Sequence, residues 1–194
     1  MLDLDAWLED PTVRTHRCRG ADATPETLWA EACAIKLAET RTLGRLVRWR
    51  IPGVPAERTY DELFRTYPFV VLDEGERHLV AGLCGRIWTL ARDYPQLAGP
   101  DAFRDWDERG TVRVLFAHWV TDDAQLCTEA RIKPVDRSSA FRLQALWRLI
   151  AHFEPLVASE PMTLATRRAA AAPRARQLRA QTPCSSPASG DSPR

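Results

Sequence analysis

Two alternating runs joined by a short acidic turn constrain this chain more than any other feature. Val112, Val114, Phe116, His118 and Val120 alternate with Arg113, Leu115, Ala117 and Trp119, the period-two pattern of a β-strand. Asp122-Asp123-Ala124 supplies a turn, after which Leu126, Thr128, Ala130 and Ile132 alternate with Cys127, Glu129 and Arg131. A three-residue turn sets Thr121 opposite Gln125 and His118 opposite Thr128. All the even-numbered residues then share one face, the more apolar one, which is taken as the inward face. Glu129 and Arg131 fall on the other, read as a solvated cross-strand charge pattern.

The flanking sequence fills in an α+β order. Residues 13–19 (VRTHRCR) read as a strand with a polar face at a sheet edge, and Phe69–Leu72 and Leu79–Leu90 as further strands. Thr24 is placed to cap a helix that opens on Pro25 and Glu26, with Leu28, Ala32 and Ile35 along one side. Thr42–Arg50 and Thr59–Tyr67 read as two shorter helices, and residues 92–109 as a polar excursion with a short helix near Phe103. From Ser138 a long terminal helix is expected, carrying Phe141, Ala145, Trp147, Ile150 and Phe153 on or near one stripe and kinked or broken at Pro155 and Pro161. Strands in succession followed by a terminal helix indicate helices packed on one face of an antiparallel sheet.

Composition narrows the class. The 194 residues carry 27 basic and 26 acidic side chains and are 45% hydrophobic, which suits a soluble globular domain. No apolar run is long enough to cross a membrane, and residues 1–11, a short leader holding Leu4, Trp7 and Leu8, lack the positive start of a signal peptide. The cysteines, Cys18, Cys33, Cys84, Cys127 and Cys184, are odd in number and never spaced C-x-x-C. They are read as reduced thiols in a cytoplasm, with no metal site and no cofactor. Lys36 and Lys133 are the only lysines, and asparagine is absent. Both residues use A-rich codons, so the arginine bias reflects a GC-rich coding sequence and argues little for nucleic-acid binding. Residues 167–194 hold six arginines and one aspartate. From about Ala172 that segment has almost no large apolar residue, and 171–194 is expected to be a disordered basic tail beyond a domain spanning 12–170.

Two segments carry a resemblance. The edge strand is followed by Ala23-Thr24-Pro25-Glu26-Thr27-Leu28-Trp29, and Thr128-Glu129-Ala130-Arg131 is followed by Phe141 and Leu146-Trp147-Arg148-Leu149-Ile150. With the element order, these resemble the START-like, or SRPBCC, superfamily of polyketide cyclase and lipid-transport type, including its uncharacterised bacterial members, over about Val13 to Arg168. The resemblance implies a helix-grip fold, in which a curved antiparallel sheet surrounds a long carboxy-terminal helix. It also implies a cavity between the two for an apolar or amphipathic molecule.

No enzyme motif accompanies it. G-x-S-x-G, the P-loop, H-E-x-x-H and G-x-G-x-x-G are all absent, and Gly82-Leu83-Cys84-Gly85 reads as a bend or bulge. His118 is the titratable residue expected on the inner face. It reads either as a core histidine bonded to the backbone or to Thr128, or as a polar anchor or acid–base group. Trp88, Phe116, His118, Thr128, Trp147 and Ile150 are the expected ligand-binding set, the aromatics either lining a cavity or filling a core. Trp49, among Arg45, Arg48 and Arg50, is read as an exposed helix end. Three functions follow: an apolar-ligand binding module without nucleic-acid partners or membrane insertion, a cyclase- or dehydratase-like enzyme on the same scaffold, and a protein-interaction scaffold.

Overall fold

The computed structural model describes the backbone of residues 2–89, 94–150 and 154–181; within these, the side chains of 149–150, 154–158 and 173–181 are left out. Five strands form one open antiparallel sheet in the order β1-β5-β4-β3-β2. They are β1 (Val13–Gly20), β2 (Val70–Gly75), β3 (His78–Gly85), β4 (Val112–Val120) and β5 (Gln125–Pro134). The β4–β5 hairpin has the register read from its alternation, with His118 opposite Thr128 and Val120 opposite Leu126. β1 is an edge strand paired with β5. β3 stops at Gly85, short of the expected Leu90, because the backbone there takes φ +137°, a region open to glycine.

Helices cover the even-numbered face. α1 (Pro25–Cys33) starts as its sequence dictates, Thr24 Oγ1 accepting from the Thr27 amide at 3.3 Å. Leu28 and Ile35 from this region bury against Val120 and Leu126 at one end of the sheet. α2 (Thr42–Arg50) and α3 (Tyr60–Phe64) follow, with Thr59 and Glu62 forming a capping box on α3. α4 (Pro100–Arg104), the short helix expected near Phe103, lies instead on the opposite face.

The terminal helical region is two helices, α5 (Arg137–Ile150) and α6 (Glu154–Gln181). α5 turns Leu143 fully into the sheet cluster of Val13, Val114 and Ile132, with Trp147 beside it. The expected stripe is therefore rotated. Phe141 is 74% exposed, because Ser139, Leu143 and Trp147, at i, i+4 and i+8, form the inward side. Pro155 stands in the first turn of α6, where its missing N–H costs nothing, whereas Pro161 lies within that helix and does not end it. α6 packs on α1 through Met162, Ala165 and Ala169. Its Glu160 carboxylate accepts from the Arg41, Thr42 and Leu43 amides at 2.6, 3.0 and 3.2 Å, so a side chain from one helix caps the start of another. The predicted tail begins inside α6, and residues 182–194 lie outside the described residues. Among the described residues no helix is long and apolar enough to cross a membrane.

The opposite face is not solvated. Leu4 and Leu8 of the amino-terminal segment and Phe103 of α4 bury against Val80, Cys84, Leu115 and Ala117. Gly82 makes room for Phe103, since a Cβ there would lie 2.6 Å from the Phe103 ring. Glu129 and Arg131, expected in solvent, are only 3% and 4% exposed. Arg131 Nε donates to Glu129 Oε1 at 2.6 Å, and its Nη1 donates to Asp5 Oδ1 and to the Leu8 carbonyl at 2.9 Å. Alternation alone cannot reveal this, because a face covered by a strap of chain needs few apolar residues when paired charges fasten the strap.

Candidate functional site

The inner face carries a polar pair in apolar surroundings. His118 and Thr128 project from facing positions of β4 and β5, and Thr128 Oγ1 lies 3.0 Å from His118 Nδ1. The Phe64 ring stands 4.8 Å from the imidazole and 5.5 Å from Phe116, and Phe69 meets Phe64 edge-on at 5.0 Å. His118 Nε2 is enclosed and has no hydrogen-bond partner. Whichever ring nitrogen carries the proton, Nε2 is the free group: a lone pair if Nδ1 donates to Thr128, a donor if it accepts. Burial pulls the imidazole down to about 4, which keeps it neutral near pH 7.

Trp88, Phe116 and Trp147 all pack against the cluster of Val112, Val114, Ile132 and Leu143. Each is half-buried, and the Trp88 Nε1 donor is enclosed without a partner. Arg142 of α5 stands over the Trp88 ring, its Cζ 6.0 Å from the centroid. The structure thus brings Trp88, Phe116, His118, Thr128 and Trp147 onto one face. The side chain of Ile150 lies outside the described residues. Two enclosed polar atoms among aromatic rings make a surface that can hold an apolar body and orient a polar group on it, since buried donors and acceptors ordinarily find partners.

Three residues on the other face escaped the sequence reading. Cys18 and Cys127 face each other across β1 and β5, with Cα atoms 4.1 Å apart, and form a disulfide. This corrects the expectation of reduced, scattered thiols. A spacing of 109 residues says nothing of proximity until the β1–β5 register is known. His16 Nε2 lies 3.5 Å from Cys18 Sγ, and the imidazole stacks on Trp119 at 5.6 Å. The ligand atoms of His16, Cys18 and Cys127 lie within 4.8 Å of one another, but sulfurs bonded to each other are not thiolate ligands. Cys33 and Cys84 are free thiols that burial pushes up to about 11 and about 12, so they stay protonated and unreactive.

A concavity lies elsewhere, beyond the end of α2. It measures 550 Å³ and is lined by Arg50, Arg58, Tyr67 and Tyr94 together with residues 51–55 and Thr66. Nothing in the sequence marked it, because its walls come from separate loops. Trp49, beside it in sequence, is 53% exposed, as read.

Compared with known proteins, the chain matches no family model, no curated protein and no solved structure.

Proposed function

We propose that this chain is a binding module for an apolar or amphipathic small molecule, held against the inner sheet face in the helix-grip manner that the START-like resemblance implies. The observation that carries the reading is the pair of enclosed, partnerless polar atoms, His118 Nε2 and Trp88 Nε1, set among Phe64, Phe116 and Trp147. A guest's apolar body would gain about 25 cal/mol per Å² buried, and one polar group on it would complete either hydrogen bond. α5, seated on the sheet through Leu143, supports the gripping role. A cyclase- or dehydratase-like activity is less well supported. A histidine held near 4 is poorly matched to proton abstraction at neutral pH, where a base works best with a value near the working pH.

Titration of the full chain with the neutral probe N-phenyl-1-naphthylamine, alongside native mass spectrometry of gently purified protein, tests this. The expected result is saturable one-to-one probe binding, a retained adduct displaced by the probe, and at least fivefold weaker binding in His118→Leu. Absence of both probe binding and adduct would overturn the reading.

A further inference from the structure

We propose that the cavity beyond α2 is a separate binding site for an organic anion carrying a flat ring beside a carboxylate group. Its volume of 550 Å³ falls within the range of small-molecule sites. Its described lining holds two arginines and no acidic side chain. Arg50 is fixed but unsatisfied: Nη2 donates to the Ile87 carbonyl at 3.3 Å, the Tyr94 ring lies 5.1 Å from Cζ, and Nη1 is enclosed with no partner. An enclosed guanidinium donor without an acceptor is costly, and a carboxylate is the acceptor whose two oxygens match the planar fork.

Arg58 supplies a second positive charge and is positioned by donating from Nη1 to Thr66 Oγ1 at 3.0 Å. Neither arginine has a carboxylate partner among the described residues. The rest of the lining favours a ring over a bare ion. Tyr67 is half exposed, yet its hydroxyl is committed, donating to the Tyr94 carbonyl at 2.9 Å. Its ring is thus held in place while remaining accessible to a ligand. Pro52, Val54 and Pro55 add apolar wall. Inorganic phosphate would satisfy the arginines and leave those walls wet, whereas an aromatic carboxylate covers both.

Isothermal titration of the full chain with three probes tests the proposal: 2-naphthoate, its neutral counterpart naphthalene-2-methanol, and inorganic phosphate. The expected result is one naphthoate per chain, with the alcohol and phosphate each at least tenfold weaker. Arg50→Met should weaken naphthoate at least tenfold, and Arg50→Lys by less. Should Arg50→Met fail to fold by circular dichroism, Arg58→Gln should weaken naphthoate severalfold. Equal affinity for naphthoate and the alcohol, phosphate as tight as naphthoate, no naphthoate binding, or unchanged affinity in the folded arginine variants would each overturn it.

Discussion

His118 and Thr128 are directly opposed in the β4–β5 ladder, and the 3.0 Å contact between Nδ1 and Oγ1 leaves the other imidazole nitrogen enclosed and unpaired. The contact fixes the ring's orientation and burial keeps it uncharged, so its influence on stability has a definite sign.

In the folded chain His118 titrates near 4, against an ordinary 6.5. Between these values the unfolded state binds the extra proton, so stability falls as pH drops from about 6.5 to about 4, by at most about 1.4 kcal/mol per pH unit. Urea unfolding across this range should show that slope, and His118→Leu should flatten it. An unchanged slope in the variant would mean that other groups set it.

The Cys18–Cys127 bond staples the edge strand to its neighbour and closes a loop of 109 residues. Peptide mapping after alkylation without reductant should recover the two cysteines linked. Replacing both by Ser should cost about 2–4 kcal/mol, and reductant should then have no further effect on the melting temperature. In a reducing cytoplasm the pair would be opened, so its state in freshly lysed cells reports the compartment directly. Recovery of both thiols alkylated would show that the bond does not form.

Arg131 is the anchor of the amino-terminal strap. Its removal in Arg131→Met leaves Glu129 buried with only Arg14, at 2.9 Å, for a partner. A broken buried pair costs about 3–5 kcal/mol. Burial alone would raise the Glu129 carboxyl, but Arg14 and Arg131 outweigh it and hold the group below its ordinary 4.5. That stabilisation is present above 4.5 and lost as pH falls through the lower folded value. Hydrogen exchange should show the segment around Leu4 and Leu8 opening first on acidification, and opening at neutral pH in the variant.

Gly82 is required by the Phe103 ring. Gly82→Ala should cost about 1–3 kcal/mol through overpacking, measured by thermal denaturation, and Phe103→Leu should recover part of the loss. Additive losses in the double variant would show that the two positions do not press on each other.

The hairpin, its register and the capped start of α1 were legible because each is local: alternation, a turn, and Thr24 ahead of Pro25 need no knowledge of what packs on them. Phe116, His118, Thr128 and Trp147 could be placed for the same reason, as period-two positions and one helix face, whereas Trp88 lies past the end of β3, in a turn that no alternation describes. What escaped depends on partners distant in sequence. Glu129 and Arg131 look like surface charges until Asp5 and Leu8 are seen to cover them. Cys18 and Cys127 become a pair only through the β1–β5 register. Phe141 points outward because Leu143, not the larger aromatic, meets Ile132. The Arg50 cavity, assembled from loops, has no periodic signature.

The strap over the outer face gives the molecule a handed accessibility. Leu4, Leu8 and Phe103 cover Leu115 and Ala117 on one side of the sheet, so a visitor to these positions meets the strap first. Trimming the first eight residues would bare an apolar wall around Leu115 and Ala117, turning a covered face into an adhesive one.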